Sequence, residues 1–252
     1  MLARTAAIDS SAVLQSSTLL VRVRRDYILP SNTHSNVYKS LMALRLYGIT
    51  VADAQQNGPP ADTESAGLAP TFVPFRDLCA VVSDQKAFGL DEPTPESIAA
   101  HQAVVDAVFR RGAVLPAPVG VVFRAPDVLK RWMELHYVSL TDALEFVEDR
   151  AAARVHIERA DGKANELEAG SDLAAAAAES LRALRRKAVA SVPLRTEAVT
   201  GLTLSASFLI EQDLWKDFIH AVDDQRDAHH LLRFDVSGPW APYDFVRMQF
   251  GG

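Results

Sequence analysis

Three stretches in the second half of the chain alternate between apolar and polar residues, and two helical stretches separate them. "RVHIE" (154–158) sets Val155 and Ile157 against Arg154, His156 and Glu158. "LTLSASFLI" (202–210) sets Leu202, Leu204, Ala206, Phe208 and Ile210 against Thr203, Ser205 and Ser207. "LLRFDV" (231–236) sets Leu232, Phe234 and Val236 against Arg233 and Asp235. Successive strand side chains point to opposite faces, so each strand has one apolar and one polar face. Such a sheet is covered on one side only. The intervening stretches are "SDLAAAAAESLRALRRKAVA" and "EQDLWKDFIHAVDDQRD". The second spaces Leu214, Phe218 and Val222 four apart, with Trp215 and Ile219 beside them. The order β-α-β-α-β, with helices on the apolar face, predicts an α+β sandwich.

The first half reads as a second α+β unit. "MALRLYGITV" from Met42 is its opening strand and "RDLCAVVSD" (76–84) its next. "TPESIAAHQAVVDAVFRRG" has helix grammar. Thr94 can cap it, Pro95 suits the first turn, Glu96 suits the positive end of the dipole, and Gly112 can stop it. Ile98, Val104, Val105, Val108 and Phe109 form its apolar face. The prolines of "AVLPAPVGVVF" (113–123) confine that segment to an edge or bent strand. "APDVLKRWMELHYVSLTDALEFVED" reads as one long helix with Val128, Trp132, Leu135, Leu140, Leu144 and Val147 near one face. The expected layout is an N-terminal extension over 1–41, an α+β unit over 42–150 and another over 151–252. The extension is expected to be flexible and dispensable. Only "TLLVRVRRDYIL" (18–29) in it has strand character, and Met42 is a candidate initiator. The polar stretches 52–67 and 159–170 read as loops.

Composition narrows the function classes. A net charge of −6 argues against a protein that binds nucleic acid by neutralising phosphates. No apolar run reaches the roughly 18 residues of a membrane span. Asp9 and several serines interrupt what would be a signal-peptide core, which places the expected location in the cytoplasm. The single cysteine, Cys79, reads as a small buried hydrophobe.

Chemical motifs are absent: no phosphate loop, no dinucleotide fingerprint, no nucleophile elbow, no H-E-x-x-H and no cysteine pair. Four weaker groupings remain. His229 and His230 with Asp223, Asp224 and Asp227 sit at a helix end, where adjacent side chains rarely converge on one ion. Glu145, Glu148 and Asp149 read as a solvated helix end. Arg182, Arg185, Arg186 and Lys187 suit a helix C-terminus. Ser205 and Ser207 lie on a strand's polar face, with no histidine placed by sequence to activate them. The residues predict no catalysis, no cofactor and no metal.

"SGPWAPYDF" (237–245) carries the remaining signal. Pro239 and Pro242 fix φ and donate nothing to a sheet, so the strand should end at Gly238. Trp240, Pro242, Tyr243 and Phe245 then form a rigid aromatic segment. It can cover a sheet edge, plug the space between the halves, or present a contact surface to another protein. Trp240 is expected to be mainly structural, and Tyr243 is the better contact candidate.

Three blocks resemble the gas vesicle protein family GvpL/GvpF. "YGIT" (47–50) is similar to its first strand. "HQAVVDAVFRRGAVLPAPVGVVF" followed by "DVLKRWMELHYVSLTDALEFVE" is similar to its central helix–strand–helix block. "ASFLIEQDLWKDF" with "VSGPWAPYDFV" is similar to its C-terminal block, although Ala117 and Ala241 stand where the family often has a larger residue or proline. The resemblance implies two α+β halves, each related to a ferredoxin-like fold, and each half is expected to be an α/β sandwich of an antiparallel or mixed sheet with helices on one face. It implies a non-enzymatic accessory protein of gas vesicle assembly, located at the gas vesicle. The implied partners are the small apolar shell-forming protein and other accessory proteins. The alternative is a small-molecule-binding regulatory module on a ferredoxin-like scaffold, with its ligand on the polar sheet face or between the halves.

Overall fold

The computed structural model describes residues 19–21, 43–53, 70–85, 93–161, 172–194 and 202–248. Most of the extension and of the loops read at 52–67 and 159–170 lie outside them. In chain order the strands are β1 (Leu19–Val21), β2 (Ala43–Val51), β3 (Thr71–Phe75), β4 (Leu78–Gln85), β5 (Val114–Pro116) and β6 (Val122–Phe123), followed by β7 (Arg150–Arg159), β8 (Ala190–Pro193), β9 (Leu202–Glu211), β10 (Leu232–Trp240) and β11 (Val246–Met248). The helices are α1 (Pro95–Phe109), α2 (Pro126–Leu135), α3 (Tyr137–Val147), α4 (Asp172–Arg185) and α5 (Trp215–Ala228). The class is α+β with two antiparallel sheets, one per half.

The second half has the sheet order β10-β7-β9-β8. Its connectivity is β-α-β-β-α-β, the ferredoxin-like order. The strand the sequence reading missed is β8. It is four residues long and ends in Pro193, so it shows no alternation to detect. Both helices lie on one face. Ala153, Val155, Ile157, Ala206, Phe208 and Ile210 pack there against Ala177 and Leu184 of α4 and Phe218 and Val222 of α5. Leu214 departs from expectation. A 3-10 turn over Gln212–Leu214 precedes α5, and Leu214 is left 43% exposed.

The opposite face of this sheet is not the solvated surface that alternation predicts. Ser205 and Ser207 are buried. Phe245 lies on the same side, in a cluster with Ala152, Ala190, Val192 and Leu209. Phe245, arriving from the chain end, and Phe146 of α3 supply cover that no strand pattern announces.

The first half is covered on both faces of its sheet, which corrects the one-sided arrangement expected for each half. The sheet order is β3-β4-β2-β5, with β6 pairing the start of β2. Leu46, Ile49, Ala80 and Val82 face α2 and α3, through Leu129, Trp132, Met133, Leu140 and Leu144. Tyr47 and Val81 face α1, through Val104, Val105 and Val108. A bulge makes this possible. Leu46 pairs with Val82 and Gly48 with Val81, leaving Tyr47 as the extra residue and turning its ring to the α1 side. Gly48 is required there, since a Cβ would stand 2.7 Å from the Leu115 carbonyl oxygen.

Local signals hold where they rest on caps. The Thr94 side chain accepts from the Ser97 N–H at 3.2 Å, with Pro95 in the first turn. The Glu96 backbone N–H foremost, and then the Thr94 hydroxyl, hold the Glu96 carboxyl below its ordinary range. Cys79 is fully buried, and burial pushes its thiol up to about 11. The long helix read over 125–149 is instead two helices broken at His136. The break turns Tyr137 onto the β3–β4 turn, where its hydroxyl donates to Asp77 Oδ1 at 2.5 Å and Arg76 lies 4.6 Å from its ring centre. Leu135 loses its place in the apolar face and is 57% exposed.

The end strands of the two orders β3-β4-β2-β5 and β10-β7-β9-β8 each carry a proline: Pro74 in β3, Pro116 in β5, Pro193 in β8 and Pro239 in β10. A proline has no N–H to offer an incoming strand, so these edges resist strand addition.

Candidate interaction surface

The closing segment leaves β10 later than its prolines suggest. The strand continues through Trp240, which pairs with Ala152 after Ser237 has paired with Arg154. One extra residue on β10 is absorbed there, across a cis Gly238–Pro239 peptide. The expected end at Gly238 is therefore corrected: a bulge lets the strand pass its proline. Gly238 has φ +134°, and a Cβ on it would stand 2.7 Å from both the Ala152 carbonyl oxygen and Trp215 Cη2. Only glycine fits.

Beyond Trp240 the segment ties three clusters together. Ala241 joins the α1-side cluster of the first half. Phe245 joins the cluster on the second half's sheet. Val246 and Met248 join the main core of the first half. Arg154 of β7 donates to both carboxylate oxygens of Asp244, with Nε 2.9 Å from Oδ2 and Nη2 3.2 Å from Oδ1. The space between the halves is thus occupied by the chain's own side chains. The outer edge of β11 pairs in parallel with β1, so residues Leu19–Val21 of the extension also reach this segment.

The four residues singled out by sequence do not share one surface. Phe245 is fully buried and Pro242 is buried. Tyr243 is half-buried, and its hydroxyl is buried without a hydrogen-bond partner among the described residues. Burial foremost, then the Asp106 carboxylate, pushes that phenol well above its ordinary range, against the pull of Arg154. Trp240 is 41% exposed, with Nε1 donating to Ser237 Oγ at 3.2 Å. The expected order of exposure is reversed: Trp240 faces solvent and the Tyr243 hydroxyl does not. The bulge before Trp240 shifts which residues face outward, and strand alternation cannot foresee that.

The other groupings find local partners. His156 Nδ1 lies 2.7 Å from Ser205 Oγ, because β7 and β9 set the two opposite each other. Sequence reasoning missed this pair, since 49 residues separate its members. Asp235 stands opposite His156 on β10 but is exposed and makes no hydrogen bond to it among the described residues. Asp223 pairs with Arg226. Among the described residues no three His, Cys, Asp or Glu side chains are grouped as a metal site would need. Arg185 Nε donates to Ser191 Oγ at 2.8 Å, and Arg182 and Arg185 border a concavity of about 250 Å³ floored by Leu181, Leu204 and Phe208.

Comparison with known proteins accounts for this architecture. The chain is 28% identical over 214 residues to gas vesicle protein F2 of Halobacterium salinarum, covering 82% of this chain and 94% of that protein. It is 27% identical over 245 residues to gas vesicle protein F of a Streptomyces species, covering 81% of this chain and all of that protein. Its fold matches the crystal structure of GvpF from Anabaena sp. PCC7120 with a TM-score of 0.66 at 15% identity, over 84% of this chain and 98% of that one. The GvpF structure from Microcystis aeruginosa matches with a TM-score of 0.62 at 14% identity, over 81% and 98% of the two chains. The model of the gas vesicle synthesis protein GvpL/GvpF family matches residues 43–183 and 157–247. On these matches, the chain belongs to the GvpL/GvpF family of gas vesicle synthesis proteins.

Proposed function

We propose that this protein is a non-enzymatic assembly factor that binds the small apolar shell-forming protein of the gas vesicle, and other accessory proteins, while the vesicle is built. Membership of a gas vesicle synthesis family over residues 43–247 carries the reading. A shell subunit that buries its apolar surface only on assembly must be kept from self-association beforehand. A folded chain whose two main sheets end in proline-bearing strands, and which has half-exposed apolar side chains, suits that task, because it can offer side chains in preference to a strand. The work takes place in the cytoplasm and at the growing vesicle. Trp240 is the member of the closing segment placed to touch a partner, while Pro242, Tyr243 and Phe245 hold it in position.

The test uses purified, denatured shell protein diluted into buffer with increasing amounts of this chain. The reading predicts that shell protein stays in the supernatant and co-elutes with the chain at a fixed ratio. Complete sedimentation of the shell protein at every ratio would overturn the partner assignment.

A further inference from the structure

β1 and β11 form a sheet of their own, apart from the two main sheets. β1 runs parallel to β11, with Leu19 opposite Val246, Leu20 opposite Arg247 and Val21 opposite Met248. Val246 and Met248 belong to the main core of the first half, while Arg247 between them is exposed. The register therefore sets Leu19 and Val21 at the core-side positions of the pair and Leu20 at the solvent-side position. β1 also lies against α3. Neither strand of this pair contains a proline. The end strands of the main sheets are shielded by a proline each, whereas the paired edge of β11 is shielded by β1. The family match runs through residue 247 and begins at residue 43, so it takes in most of β11 and none of β1. The edge thus belongs to the family portion of the chain, and its cover to the extension.

We propose that this edge of β11 is a strand-binding site which the chain's own Leu19–Val21 holds shut, and that its ligand is an extended segment of a partner protein with apolar residues two apart. The segment already seated there defines that ligand. It supplies a backbone running parallel to β11 for the ladder, and apolar residues at the positions opposite Val246 and Met248. The position opposite exposed Arg247 sets no apolar requirement. Three paired residues are a short contact, so β1 can leave locally while the two main sheets stay intact. Because β1 is tethered, it competes at a high effective concentration, and a free segment enters only when β1 is displaced or disabled. The extension, which sequence alone marks as dispensable, thereby acts as a strap over a binding edge. The inference does not rest on the assembly reading.

The probe is a synthetic peptide of residues 16–23, SSTLLVRV, titrated by fluorescence anisotropy against the full chain and its variants. Leu19→Asp with Val21→Asp disables the strap by setting carboxylates at the two core-side positions. This double variant is expected to bind the peptide at least about tenfold more tightly than wild type, whose site is filled. Leu20→Asp, at the position opposite exposed Arg247, is expected to bind the peptide as weakly as wild type. Amide hydrogen exchange over residues 246–248 should quicken in the double variant and slow again when peptide is added, with exchange in β4 unchanged. A second route leaves Leu19 and Val21 untouched. Leu20→Cys with Arg247→Cys should oxidise to a disulfide within one chain, since the two positions face each other across the pair. That locked chain should bind the peptide at least about tenfold more weakly than the same chain reduced. Equal binding to wild type and the double variant, no binding to the double variant when it is folded, or opening by Leu20→Asp would overturn the proposal. So would equal binding to the oxidised and reduced cysteine pair, a disulfide between chains, or no disulfide at all.

Discussion

Arg154 on β7 and Asp244 in the closing segment form a two-point ion pair, at 2.9 and 3.2 Å, that fastens the last turn of the chain to the second half's sheet. Asp244 has 17% of its side chain exposed and Arg154 has 40%, so the pair is only partly screened by water. Asp244→Ala should cost about 1–2 kcal/mol, above the usual surface pair and below a buried one. A double-mutant cycle with Arg154→Ala, read by urea unfolding, should recover most of that as coupling. A coupling near zero would mean that the segment is held by its buried apolar side chains, Ala241, Phe245, Val246 and Met248, and not by the ion pair.

The aromatic segment should split by burial. Phe245→Ala removes a fully buried ring from the cluster with Ala152 and Leu209 and should cost about 3–5 kcal/mol. Trp240→Ala removes a half-exposed ring and should cost at most about 1 kcal/mol. Equal losses in urea unfolding would contradict the burial described here.

Gly238→Ala should destabilise in spite of the small change. The added methyl meets the Ala152 carbonyl oxygen and Trp215 at 2.7 Å, at a backbone φ of +134° that side chains rarely adopt. A melting temperature equal to wild type would show that β10 can shift away from β7 there.

Stability should fall with mild acid through His101. Its ring is buried, with Nε2 2.9 Å from the Ala117 carbonyl oxygen, and burial lowers its pKa below the ordinary 6.5. The unfolded chain therefore takes up this proton first as pH drops. The stabilisation is fully present above pH 6.5 and is lost as pH falls from there toward the depressed folded value. Asp106 acts oppositely at lower pH, since burial raises its carboxyl and the folded state then takes the proton first. Urea midpoints at pH 7.5 and 5.5 should differ less in His101→Gln than in wild type. An unchanged difference would assign the acid sensitivity elsewhere.

The edge prolines should suppress self-association. Pro193→Val restores a backbone N–H on the outer strand β8. Light scattering should then rise with protein concentration in the variant and stay flat in wild type. Flat scattering in both would show that β8 is protected by something other than its proline.

What could be read from sequence follows from range. Alternation gave β7, β9 and the start of β10, because each signal is contained within a strand. Cap chemistry gave the start of α1, because Thr94 and Ser97 are three residues apart. Two misses are local, the four-residue strand β8 and the 3-10 turn that exposes Leu214, and the others involve partners far along the chain. Phe245 buries a sheet face whose strands read as solvated. Tyr137 breaks a helix to reach a turn 60 residues away. Trp240 faces out because a bulge against Ala152 shifts its side. The closing segment was visible as rigid and aromatic, but which of its rings is wet depends on that bulge.

The most direct measurement is the number of gas vesicles per cell, by electron microscopy, in a strain lacking this gene and any paralogue, with and without the gene restored. The account predicts few or no vesicles in the deletion strain and recovery when the full chain is supplied. Normal vesicle numbers and shape in the deletion strain would contradict it.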